Sequence, residues 1–180
     1  MKIILVHPPS RHPKREDVVI PPLGLAYLAG VLERKGYGVR IIDAFALGLD
    51  WNEFEEEIKK AKADLIGIGG LTPTIDNTLR SIKICRSHTR YIVIGGPHLS
   101  VYRQEFFKDC PDVDFGIVGE GEQSFQALVQ RLENGKDPWD VPGLVGREKI
   151  NPPGKFIGDL DEIPFPARHL FPNHLYRYAL

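Results

Sequence analysis

Four short stretches hold the residue types best suited to binding a ligand. They are His7-Pro8-Pro9-Ser10, Gly69-Gly70-Leu71-Thr72-Pro73-Thr74, Gly95-Gly96-Pro97-His98 and Gly119-Glu120-Gly121-Glu122. Three of the four are glycine-rich, which lets a ligand lie against bare backbone. Gly69-Gly70 and Gly95-Gly96, placed on adjacent strands, would together clear a slot for a flat ring system. Taken alone, Gly95-Gly96 also suits a tight strand-to-loop turn. Thr72 can cap a helix with Pro73 at its first position, and Thr74 leaves a second hydroxyl beside free N–H groups. That pattern serves either as a helix cap or as a phosphate cradle. Glu120 and Glu122 complement a helix N-terminus, Glu122 being spaced for the N3 position. Both acids would repel a phosphate and accept hydrogen bonds from amide or hydroxyl groups.

His7 and His98 fall within these stretches, and each could ligate a metal, act as acid or base, or satisfy local hydrogen bonds. His12, His88, His169 and His174 lie outside them. Cys85 and Cys110 match no C-x-x-C or zinc spacing, so a structural disulfide is not expected. No Ser-His-Asp, H-E-x-x-H or P-loop spacing occurs.

The stretches follow short β-branched runs: Lys2–His7, Val39–Ala44, Leu65–Gly70, Tyr91–Gly96 and Asp114–Gly119. Their near-continuous apolar character is that of parallel strands covered on both faces. Helical patterns separate them. The first starts at Pro22 and stops at Gly36, with Leu25, Leu28, Ala29 and Leu32 on one face. The second spans about Trp51–Ala61, acidic early and basic late, as the helix dipole favours. A third follows Thr72-Pro73 and turns Ile75, Leu79, Ile82 and Cys85 inward. A weaker fourth covers about Ser100–Lys108, and a fifth covers Glu122–Asn134. The alternation predicts an α/β, flavodoxin-like, doubly wound five-stranded parallel sheet of order 2-1-3-4-5. In such a sheet ligands bind outside the carboxyl ends of the strands, near the switch between strands one and three.

After Gly135 the texture turns proline-rich. Residues 1–136 read as the binding domain and 137–180 as an extension, with a short hairpin of Leu144–Arg147 with Phe156–Ile157 and an extended linker over Leu160–Pro172. Leu175–Leu180 carry no cap, as expected of a chain that continues into another domain. Of the 180 residues, 42% are hydrophobic and 26% charged, which describes one soluble domain. A formal net charge of −1 offers no footprint for nucleic acid. The apolar start, Ile3–Val6, is too short for a signal peptide or membrane span, so a cytoplasmic protein is expected.

Familiar ligand folds fail at particular positions. A nicotinamide-binding fold needs G-x-G-x-x-G where this chain has His7-Pro8-Pro9-Ser10. Gly67-x-Gly69 and Gly119-x-Gly121 are fragments of that pattern in the wrong places. A receiver domain needs a clustered acidic pocket, and a flavodoxin needs a Ser/Thr-rich loop where only Ser10 is present.

Six pieces in order resemble the N-terminal cobalamin-binding domain of B12-dependent radical SAM enzymes. They are His7-Pro8-Pro9, Pro21-Pro22-Leu23-Gly24-Leu25-Ala26-Tyr27-Leu28-Ala29, Asp43, Gly95-Gly96-Pro97-His98, Val118–Glu122, and Asp159–Arg168. The resemblance implies cobalamin at the strand ends, its nucleotide tail sunk into the crevice. The glycine pairs would admit the tail, with Leu71 between them and the threonines. Thr72 and Thr74 would bind its polar groups, while Pro97, His98, Gly119, Glu120 and Gly121 would line corrin or tail. The loop His7-Pro8-Pro9-Ser10 would lie under the cobalt, with His7 or His98 as the conceivable protein ligand.

Two departures qualify it. Methionine-synthase-type relatives carry D-x-H-x-x-G, whose histidine ligates cobalt. The nearest string here, Asp43-Ala44-Phe45-Ala46-Leu47-Gly48, has phenylalanine at that position. The chain also lacks C-x-x-x-C-x-x-C, whose thiolates hold a [4Fe–4S] cluster in the barrel that follows in such enzymes. The cluster and S-adenosylmethionine are therefore expected outside this chain, and cobalt-dependent methyl transfer is expected only of a longer enzyme. The other readings are a free-standing corrinoid carrier, a non-catalytic interaction domain, and a flavin or nucleotide binder using Thr72 and Thr74.

Overall fold

In the computed structural model, residues 1–10, 18–154 and 156–177 are described; His12 and Tyr178–Leu180 lie outside them. The β-branched runs become strands β1 (Ile3–His7), β2 (Val39–Asp43), β3 (Leu65–Gly69), β4 (Tyr91–Gly95) and β5 (Phe115–Ile117). They pair in parallel in the expected order β2-β1-β3-β4-β5. Register brings the strand ends level, opposing His7 to Asp43, Gly69 to Gly95 and Gly95 to Ile117.

A sixth strand, β6 (Leu144–Val145), adds antiparallel to β5. The expected hairpin is corrected here. Val145 bridges Ile150, and the Gly146 N–H donates to the Lys149 carbonyl at 2.8 Å, so the turn closes before Phe156. Phe156 is 85% exposed and packs in no sheet.

Helices α1 (Leu23–Arg34), α2 (Trp51–Ala61), α3 (Ile75–Arg86), α4 (Pro97–Tyr102), α5 (Phe106–Asp109) and α6 (Gly121–Glu133) cover both faces. Alternation along the strands divides the core. Ile3, Leu5, Leu65 and Val93 pack with Leu25, Leu32, Phe125 and Leu128 of α1 and α6. Ile4, Val6, Ile66 and Ile92 pack with Phe54, Ile58, Ile82, Leu99 and Phe107 on the other face. The entry to α2 is fixed by a capping box, Asp50 accepting from the Glu53 N–H while Glu53 accepts from the Asp50 N–H. No helix among the described residues is long and apolar enough to cross a membrane.

The fourth helix differs from the expected Ser100–Lys108. It starts at Pro97 and breaks at a 3-10 turn over 103–105, where Arg103 has φ 48°. In a continuous helix, adjacent side chains diverge by about 100°. Phe106 and Phe107, consecutive in the short α5 that follows the break, are both buried, their rings 6.0 Å apart edge to face.

The proline-rich end lies along α1. The Ala167 N–H donates to the Ala26 carbonyl at 2.9 Å, and Arg34 donates to the Glu162 carbonyl. Farther on, Val19 and Arg177 pair antiparallel. Gly30 permits the approach, because a Cβ there would stand 2.7 Å from the Phe165 carbonyl oxygen. Gly30→Val is therefore expected to lift this segment. Faster hydrogen exchange at Ala167 and quicker proteolysis between 156 and 171 would show it, with about 2 kcal/mol lost to overpacking.

Candidate functional site

A crevice of about 480 Å³ opens between α1 and α6 over the C-terminal ends of β1, β3, β4 and β5. Its floor is made by alternate residues of one sheet face, Leu5, Gly67, Val93 and Ile117, and its walls by Leu25, Leu28 and Phe125. Gly67 sets the depth: a Cβ there would meet Leu5 at 2.8 Å and Phe125 at 3.3 Å. At the rim the two glycine pairs interlock. The Gly70 N–H donates to the Gly95 carbonyl at 2.9 Å, and the His98 N–H donates to the Gly70 carbonyl at 3.2 Å. Gly96 has φ +102°, and a Cβ on it would lie 2.8 Å from the Gly70 oxygen, so glycine is required twice over.

Of the sequence-expected residues, His7, Pro8, Gly69, Gly70, Leu71, Thr74, Gly95, Gly96, Pro97, Gly119, Glu120 and Gly121 line the crevice. Pro9, Ser10, Thr72 and His98 do not. Pro9 and Ser10 are buried beside it.

The cap expected of Thr72 is replaced by a 3-10 turn over Thr72–Thr74, with α3 starting at Ile75 and no side-chain cap. The Thr72 hydroxyl instead meets His98 Nδ1 at 3.2 Å. That imidazole packs on Tyr102, ring centroids 4.4 Å apart, and edge-on to Phe106 at 5.9 Å. Burial pushes the His98 pKa down, which favours the neutral ring. Glu122 is likewise displaced from N3, since α6 begins at Gly121. Glu120 accepts from the Ile157 N–H at 2.8 Å and so ties the following segment to the rim.

His7 is held differently. Its Nδ1 lies 2.9 Å from Oδ1 of Asp43, a side chain with no exposed surface. Asp43 also accepts from the Ala46 N–H at 3.0 Å and the Tyr176 hydroxyl at 2.8 Å. The Phe45 ring lies against the imidazole, centroids 5.4 Å apart.

Sequence reasoning missed Gly67, Leu25, Leu28 and Phe125 as lining residues. Gly67 was findable, since strand alternation places it on the same face as Gly69. The others carry the ordinary signature of helix core.

Among the described residues no lysine or arginine lines the crevice, and the carboxylates at its rim are Glu120 and Glu122. Among those residues no three His, Cys, Asp or Glu converge on a metal-sized site. Burial pushes the Cys85 thiol up to about 12 and that of Cys110 to about 11, so neither is a ready thiolate.

The crevice lies at the strand-order switch, outside the carboxyl ends of the strands, where doubly wound sheets bind their ligands. Residues 17–129 match the family model of the B12 binding domain. The chain belongs to the B12-binding domain family. It is 35% identical over 185 residues to an uncharacterized methyltransferase of Pyrococcus horikoshii, covering 98% of this chain and 40% of that protein. It is 30% identical over 169 residues to the anaerobic magnesium-protoporphyrin IX monomethyl ester cyclase of Rubrivivax gelatinosus, covering 91% of this chain and 30% of the cyclase. This B12-binding domain thus spans well under half the length of either relative. Its fold superposes on the radical S-adenosylmethionine methyltransferase TsrM of Kitasatospora setae, solved with cobalamin and a [4Fe-4S] cluster. The TM-score is 0.73 at 22% identity, over 91% of this chain and 31% of the methyltransferase.

The residues present suit the family's cofactor. The floor is apolar and deepened by a glycine that a side chain would fill. The rim offers backbone and carboxylate groups able to meet amides and hydroxyls.

Proposed function

We propose that this domain binds cobalamin in the crevice between α1 and α6, and does so as the cofactor module of a longer radical SAM enzyme whose reaction is methyl transfer. The observation that carries the binding site is the deep apolar slot whose floor is opened by Gly67 and whose mouth is opened by Gly69 and Gly95. The nucleotide tail would enter between the glycine pairs, with Leu5, Val93 and Phe125 excluding water beneath it. Glu120 and the backbone at Gly70, Gly96 and Gly119 would meet its amides and hydroxyls, and the His7-Pro8 turn would lie below the corrin.

Cobalamin, when bound, supplies a cobalt able to carry a methyl group. The protein supplies position and exclusion of competing reactions. Residues 1–136 would form the binding unit, and 137–180 would lead toward the domain holding the cluster and S-adenosylmethionine. The shares of 40% and 30% in the two longer relatives, and the absence of C-x-x-x-C-x-x-C here, support that division. The flavin or nucleotide reading has less support, because Thr72 is turned to His98 and two carboxylates face the rim.

Hydroxocobalamin added to the folded chain is expected to co-elute on gel filtration at one per chain, with a change in its visible spectrum. Absence of co-elution at tens of micromolar, with native circular dichroism, would overturn the reading.

A further inference from the structure

We infer that the crevice selects among corrinoids by the polarity of the tail base, retaining an apolar ring such as dimethylbenzimidazole or a cresol and rejecting a purine. The inference rests on the cobalamin reading above and adds to it which corrinoids the domain retains.

Register sets the chemistry of the slot row by row. Leu5, Gly67 and Val93 stand level on one face of the sheet, and two residues farther along that face come Gly69, Gly95 and Ile117. At about 3.3 Å per residue the rows lie about 6.6 Å apart, so a flat ring that passes the upper row reaches the lower one. Leu28 and Phe125 close the sides. Neither row nor side wall carries a side-chain donor or acceptor.

The backbone there is spent as well. The lower row lies inside the parallel ladders, the Gly70 N–H is given to the Gly95 carbonyl, and the Gly70 carbonyl takes the His98 N–H. Polar side chains line the crevice only at or after the last strand residues. Three of them are already engaged: His7 with Asp43, Thr74 with the Leu71 carbonyl, and Glu120 with the Ile157 N–H.

Dimethylbenzimidazole offers such a slot methyl groups and ring carbons, and a cresol ring offers the same. Adenine brings an exocyclic amino group and additional ring nitrogens, which water satisfies outside and nothing satisfies within. Burying polar groups without partners is costly. An apolar pocket already rejects an isostere bearing one added hydroxyl by about a hundredfold.

The test titrates the chain with corrinoids that share one corrin ring and carry dimethylbenzimidazole, p-cresol or adenine in the tail, and with cobinamide, which has no tail nucleotide. Retention is read by gel filtration and the visible spectrum. The cresol tail has no nitrogen to bond cobalt, so its advantage over adenine reports the slot and not a cobalt–base bond. The dimethylbenzimidazole and cresol forms are each expected to bind about a hundredfold tighter than the adenine form. Val93→Thr keeps the shape of the floor and adds a hydroxyl, and Leu28→Gln adds an amide from the half-buried side wall. Either is expected to narrow the cresol-to-adenine ratio about tenfold. Equal affinities for the cresol and adenine forms, or a preference for adenine, with the corrinoids co-eluting, would overturn the selectivity and leave the cobalamin reading standing. Cobinamide bound as tightly as the cresol form would overturn it too, since the tail would then make no use of the slot. A ratio unmoved in whichever variants keep native circular dichroism would overturn the assignment to these rows. Failure of every corrinoid to co-elute would overturn the cobalamin reading and the selectivity with it.

Discussion

Gly69→Phe is expected to weaken cobalamin retention by about a hundredfold while the domain stays folded. Gly69 lines the crevice beside Gly95, and its backbone has no positive φ. The nearest atom to a Cβ there is Leu25 Cδ2 at 4.0 Å, an ordinary contact. The first carbon of a side chain is therefore accommodated, and because Gly69 lines the crevice a phenyl ring there is expected to occupy the slot the tail would use. A hundredfold loss is about 2.7 kcal/mol, which corresponds to displacing about 110 Å² of apolar contact at about 25 cal/mol/Å². Gel filtration with cobalamin would be read beside a thermal melt. The same substitution at Gly67 or Gly96 would be uninformative, since both collide with packed atoms within 3 Å. Retention at wild-type affinity in Gly69→Phe, with the melt unchanged, would place the ligand outside this crevice.

The second large effect is on stability. Asp43→Ala is expected to cost about 3 kcal/mol, because it strands the donors of His7, Ala46 and Tyr176 around a site with no exposed surface. Each buried donor left unmatched costs about 1–3 kcal/mol, moderated here because His7 retains some access to water. The urea midpoint should fall while the slope of the transition holds, the sign of lost stability without a changed denatured state. Asp43→Asn keeps an acceptor oxygen and should cost less. A loss below about 1 kcal/mol in the alanine variant would mean that water replaces the carboxylate.

The parallel sheet was legible because β1, β3 and β4 are buried along most of their length, so their apolar runs are nearly continuous, although the edge strand β2 carries an exposed Arg40. β6 was not, because two residues carry no periodicity. The hairpin partner was misread because Phe156 has the composition of a strand residue but none of the burial. The fourth helix resisted prediction because its break lies at Arg103, whose positive φ no glycine or asparagine in the sequence announces.

At the site, glycine pairs at strand ends announced an open mouth, while Gly67 read as strand interior. Thr72 was assigned to its own helix because capping is a local pattern. Its actual partner, His98, is 26 residues away in the first turn of α4, after the next strand. The grip of Asp43 on His7 crosses 36 residues and that of Tyr176 on Asp43 crosses 133, and no local signal spans such distances.

That last separation bears on the order in which the chain assembles. Contacts between distant positions form only after the loop between them has closed, and long closures are slow. During synthesis Asp43 leaves the ribosome well before Tyr176, so structure formed before residue 176 emerges can offer it only two of its three partners. The sheet can assemble before the carboxylate has its last partner, and that partner would arrive with the other contacts of the C-terminal segment, such as Arg177 with Val19 and Ala167 with Ala26.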